Sequence, residues 1–185
     1  MRRENKTLLF VRKKVKLTRP YPISQKAKGF LLFLLGLYLI VIALMCFIPQ
    51  PTISGVKTPG IFYVGRVPLL LTPFNTLLRF SEITDGFSLM WVLGQNLANI
   101  FLLYPFFLIF FFLYPTYSPY AKAWRLGLCF SLLIEVGQIL LDIFFDFNRV
   151  FEVDDLWTNT LGAILAALSY AMLTKYYWYK KDKSR

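Results

Sequence analysis

The 185-residue chain is 57% hydrophobic and 17% charged, with a mean hydropathy of +0.53, which fits neither a soluble globule nor a disordered chain. It contains no histidine, so a His triad, a His general base and a His metal ligand are all excluded. The net charge of +11 sits beside apolar runs, a placement that suits membrane headgroups and not nucleic acid.

Residues 1–28 carry ten basic side chains, from Arg2 to Lys28, and one acid, Glu4. The charge-free run 29–48 follows. About 20 apolar residues, each rising 1.5 Å, cross a bilayer, so this run predicts a first transmembrane helix. Pro49 and Pro51 end it. The basic region is long and no small-x-small site follows the run, so the first span is expected to stay uncleaved. The two cysteines, Cys46 and Cys129, lie in apolar runs and read as small hydrophobes with no disulfide framework.

The connection 49–86 is broken by Gly55, Pro59, Gly60, Gly65, Pro68 and Pro73, yet apolar residues fill the gaps. It reads as a re-entrant or interfacial segment; a buried short helix over 73–80 is the other reading. Residues 86–121 contain no charge and hold the second span, most apolar over 97–113, with Pro105 predicting a kink. The third span, 124–141, is interrupted by Glu135. The fourth, 156–174, follows Asp154 and Asp155 directly. A cluster of lysines and aromatics over 175–181 then resembles an interfacial belt.

The fold class is therefore all-α: a polytopic membrane protein of four transmembrane helices with a long outer loop. A basic cytoplasmic segment (1–28), a membrane domain (29–174) and a basic aromatic cytoplasmic tail (175–185) make up the chain. Four spans put both termini on one side, which carries seventeen of the basic residues against four on the other. Basic residues favour the inner side, so both termini are expected to be cytoplasmic.

Polar residues inside these spans need an account. Asn96 and Asn99, at i and i+3, and Gln95 and Asn99, at i and i+4, share faces of the second helix. They read as interhelical glue or as site lining. Ser131, Glu135, Gln138 and Asp142 form one stripe down the third helix. Glu135 lies roughly 10 Å inward from Asp142, where an ionised carboxylate is costly unless paired or wet. It reads as a structural buried pair, with Arg149 as one partner, or as a ligand, proton or ion site. Arg149 is the one basic residue between Arg125 and Lys175. It suits a bidentate carboxylate pair or a grip on phosphate. Glu152, Asp154 and Asp155 precede the fourth helix, where one acid could cap it, and Asp155 and Asn159 share a face. Their spacing is not an EF-hand, so no metal and no cofactor is expected. Gly162, Ala163, Ala166 and Ala167 form a small-residue surface for close helix packing.

These residues together resemble the VanZ-like membrane protein family. The similar stretches are Leu71 to Thr76, Asn96 to Ile100 with Tyr104-Pro105-Phe106, and Ser131 to Gln138 with Arg149, Glu152, Asp155, Asn159 and Gly162. Glu152 stands where aspartate is usual, Phe107 and Ala166 where glycine is frequent. The family is named for low-level resistance to the glycopeptide teicoplanin, and the resemblance implies a multi-pass protein of a bacterial plasma membrane. Four functions stand open at this point. The chain could bind an envelope component, a lipid-linked cell-wall precursor or an anionic membrane lipid, through Asn96, Asn99, Gln138, Arg149, Glu152, Asp155 and Asn159. It could be an enzyme with Glu135 as general acid or base. It could be a transporter, as a homo-oligomer, or a structural partner in a membrane complex.

Overall fold

The computed structural model describes residues 19–50, 58–83 and 86–184. The basic residues from Arg2 to Lys16, together with Gly55, Lys57, Asp85 and Arg185, lie outside the described residues. Four helices dominate: α1 Gln25–Phe47, α3 Gly86–Leu113, α4 Tyr120–Phe145 and α5 Val153–Lys183. Between α1 and α3 lie strands β1 Phe62–Val64 and β2 Val67–Leu70 and the single-turn helix α2 Asn75–Leu78; β3 Phe151–Glu152 precedes α5. All four long helices are apolar and long enough to cross a membrane. In hydrocarbon a helix satisfies every backbone group within itself, so long apolar runs adopt no other open form.

Each helix extends past its apolar run. Ser24 caps α1, its Oγ accepting from Ala27 N at 3.2 Å. Helix α3 runs through Pro105 as one element. Helix α5 continues to Lys183, so residues 175–183 form its last turns. Lys180, Lys181 and Lys183 end it, where cations offset the helix dipole. Tyr21, ahead of α1, docks there: its ring meets Tyr177 and Phe112, and its N–H donates to Tyr170 Oη at 3.3 Å.

Helix α5 is the centre of the bundle and packs against both α3 and α4. Small residues make this close approach feasible: Gly162, Ala163, Ala166 and Ala167 are all buried. A Cβ added at Gly162 would collide with Ile100 O, and one at Gly127 would lie 2.8 Å from Ala163 Cβ. A ladder of rings on α3, including Phe106, Phe107 and Phe111, fills the rest of the core. Helix α1 is peripheral, with only Ile42 and Cys46 buried.

At the distal end of the bundle, opposite Tyr21 and Lys183, the connections form a small cap. β1 and β2 make an antiparallel hairpin around Gly65 and Arg66, with Gly65 at a φ of 63°. β3 pairs with β2 in parallel, Leu69 facing Phe151 and Leu70 facing Glu152. The sheet ties the first long connection to the segment leading into α5. The short helix in this connection differs from the buried one entertained above. Asn75 is buried, but Leu77, Leu78 and Phe80 are 73%, 68% and 57% exposed. An apolar surface beside the distal helix ends suits an interfacial position.

Candidate functional site

The distal ends of the helices enclose a cavity of about 260 Å³. Asn99, Gln138, Arg149, Glu152 and Asp155 all line it. Helix α3 contributes one stripe, Trp91, Gln95 and Asn99, each four residues from the next and so on one face. Met45, Cys46 and Gln50 close the opposite wall. Thus a wall predicted from three helices draws on all four.

Arg149 reaches the cavity by a route the sequence did not reveal. Helix α4 ends on Asp146 in the left-handed region, and Asn148 repeats that conformation at a φ of 55°. Asp and Asn tolerate it better than most side chains. The chain thereby turns back, and Asp142 Oδ1 accepts Arg149 N at 2.9 Å. The Arg149 guanidinium does not form the bidentate carboxylate pair. Its Nε donates to Ile48 O at 2.8 Å and its Nη2 to Met45 O at 2.7 Å. These carbonyls belong to the end of α1, where helices leave acceptors unsatisfied and favour a cation. Nη1 has no partner among the described residues. Burial lowers the Arg149 pKa, opposed by Cys46 and Asp142.

Glu135 lies behind this wall, fully buried. It does not meet Arg149. Its Oε2 accepts Glu152 N at 3.3 Å, and Oε1 has no partner among the described residues. Glu135 therefore holds the corner from which Glu152 and Asp155 enter the cavity. Asn99 Nδ2 donates to Asp155 Oδ1 at 2.5 Å. Gln138 Nε2 donates to Cys46 O at 3.1 Å, leaving its buried Oε1 without a partner among the described residues. Burial pushes the Glu152 carboxyl well above the usual carboxylate range, and the neighbouring carboxylates of Asp155 and Asp154 push the same way.

Besides Glu135, two predicted residues stand outside the cavity. Asn96 turns toward the first connection, its Nδ2 donating to Thr76 Oγ1 and Val92 O. Asn159 is buried between α4 and α5, donating to Ser131 Oγ at 3.1 Å, which in turn donates to Asp155 O at 3.1 Å. Sequence reasoning missed the role of Asp154. Its Oδ1 accepts Phe74 N at 2.7 Å and Trp157 Nε1 at 2.9 Å, and its Oδ2 accepts Asn75 N at 2.9 Å. It thus caps α2, across the cap, and holds Phe74 at a φ of 54°. No group of three or more Cys, Asp or Glu among the described residues could hold a metal ion.

The VanZ/LLP1 family profile matches residues 35–174, most of the chain and all of the cavity wall. The chain belongs to the VanZ/LLP1 family. No curated protein and no solved structure matches it. Every predicted site residue of this VanZ/LLP1 protein, from Asn96 to Asn159, falls within the matched stretch. The cavity and its cap are therefore features of the family domain and not of the basic segments outside it.

Proposed function

We propose that this VanZ/LLP1 protein binds the polar headgroup of an anionic envelope lipid in its distal cavity, with Arg149 holding the anionic group. The observation that carries this reading is the placement of Arg149. It lines the cavity, is fixed by two carbonyls at the end of α1 and keeps Nη1 without a partner among the described residues. A half-buried guanidinium fixed in a cavity wall presents a charged donor well shaped to hold an anion. The lipid-linked precursors of the cell wall carry such a group. Glu135 is a positioning residue in this reading, because it supports Glu152 N from behind the wall.

The distal end faces outward on the charge bias of the sequence. A membrane-impermeant maleimide on intact cells is therefore expected to label a cysteine at exposed Arg66 and spare one at Ser184, in a background without Cys46 and Cys129. The reverse pattern would place the cavity on the cytoplasmic side.

The binding itself is tested with the full chain in phosphatidylcholine nanodiscs, titrated with a polyprenyl monophosphate and followed by tryptophan fluorescence. Wild type is expected to bind saturably and Arg149→Gln about tenfold or more weakly, since one charge-assisted contact is worth at least that factor. Arg149→Lys keeps the charge and should recover part of the affinity. Unchanged affinity in Arg149→Gln contradicts the reading. Affinity should also fall as pH rises above neutrality. Glu152 favours its protonated form when buried, and its ionisation places a negative charge beside the bound anion. An affinity that holds or rises over that range would remove Glu152 from the site.

A further inference from the structure

Arg149 accounts for an anion, but most of the cavity wall asks for something else. Gln138 Oε1 is an acceptor in the wall with no donor among the described residues, on a residue only 8% exposed. Asn99 has given its Nδ2 to Asp155 and presents Oδ1. Glu152 presents a carboxyl beside Asp155 that accepts no hydrogen bond from a side chain of the described residues. These acceptors come from α3, α4 and β3, so they approach from three directions. A phosphate brings only acceptors to them and leaves them unsatisfied. The Gln95 amide, able to donate and accept, is also without a partner among the described residues. Trp91 adds a flat apolar face to the same wall. Amides, carboxyls and one indole are the chemistry that meets a ring with hydroxyls on its edge and C–H groups on its faces. A cavity of about 260 Å³ is below the range for drug-sized ligands and of a size for one ring.

We propose that the wall formed by Trp91, Gln95, Asn99, Gln138 and Glu152 is a subsite for a single sugar ring, so that the preferred ligand is a glycosyl phosphate lipid and not a bare phosphate lipid. This rests on the headgroup reading above and narrows it. An ammonium headgroup fits less well. It would call for ionised carboxylates, whereas burial favours the protonated form of Glu152, which suits a hydroxyl partner.

Three probes test it on the full chain in phosphatidylcholine nanodiscs: a polyprenyl monophosphate, the same lipid carrying one hexose on its phosphate, and phosphatidylethanolamine. The hexosyl form is expected to bind about tenfold tighter than the bare phosphate, the gain from two or three added hydrogen bonds. Gln95→Leu breaks no hydrogen bond among the described residues, and Trp91→Leu removes only the indole face. Both should collapse that ratio toward one. Equal affinity of wild type for the two phosphates overturns the sugar subsite and leaves the headgroup reading standing. Saturable binding of neither overturns both. Phosphatidylethanolamine binding more tightly than the hexosyl phosphate also overturns the sugar subsite, assigning the acceptors to an amine.

Discussion

Replacing Asp154 by alanine should release the cap from the bundle and cost on the order of 4 kcal/mol. The carboxylate is 4% exposed and accepts three hydrogen bonds, from Phe74 N, Asn75 N and Trp157 Nε1. Alanine leaves those donors without a partner, two of them on backbone that cannot move to water without undoing α2. It also removes the restraint on Phe74, whose left-handed conformation is unfavourable for a bulky side chain. The loss should be local. The bundle core of α3, α4 and α5 does not include Asp154, so the helices should remain while residues 58–83 become open to protease. Limited proteolysis beside a thermal melt separates the two. Wild-type resistance in the 58–83 segment would show that the β-sheet pairing alone holds the cap. Asp154→Asn keeps an acceptor of the same shape and should fall between.

Gly162→Val should also be strongly damaging, by about 3 kcal/mol or more, and it should act on the bundle itself. A Cβ at Gly162 meets Ile100 O, with Ile100 C at 3.2 Å and Tyr104 N at 3.3 Å. All three atoms are helix backbone, so no side-chain rotation relieves the clash and α3 and α5 must separate. Separation would also strain the contact between Tyr104 Oη and Ser169 Oγ, now 3.0 Å, further along the same interface. Gly36 and Gly94 provide the comparison. An added Cβ there meets nothing within 4 Å. Alanine at either should be neutral or stabilising by up to about 1 kcal/mol, since glycine is a poor helix former. Melting of the three variants in one detergent is the check. A Gly162→Val melt equal to wild type would mean that α3 and α5 are not packed this closely.

The spans were legible because the bilayer imposes length and polarity together, and residues 29–48 or 97–113 satisfy both without ambiguity. The polar stripe on α4 was legible for a related reason. Ser131, Glu135, Gln138 and Asp142 repeat at helical spacing in an apolar background, and all four are buried. The small surface around Gly162 announced itself in the same way. The cap was not legible. Its strands are two to four residues long, β2 contains Pro68, and β3 pairs with a strand about eighty residues earlier. No periodicity marks segments so short. The partners of Arg149 were hidden for a different reason. They are backbone carbonyls at the end of α1, and a carbonyl has no sequence signature. Side-chain reasoning weighed a carboxylate pair against a grip on phosphate, and neither looks to the backbone. The same blindness applies to Asp154, whose partners are largely backbone N–H groups of the cap. Trp91 was within reach, since it stands four residues before Gln95 and eight before Asn99.

Native mass spectrometry of the protein purified from its own membrane tests the central claim, that the distal cavity holds an anionic lipid headgroup through Arg149. Wild type and Arg149→Lys should each carry a polyprenyl-phosphate lipid, and folded Arg149→Gln should lose it. Equal retention of bulk phospholipid alone in all three would contradict the claim and leave the cavity polar for structural reasons.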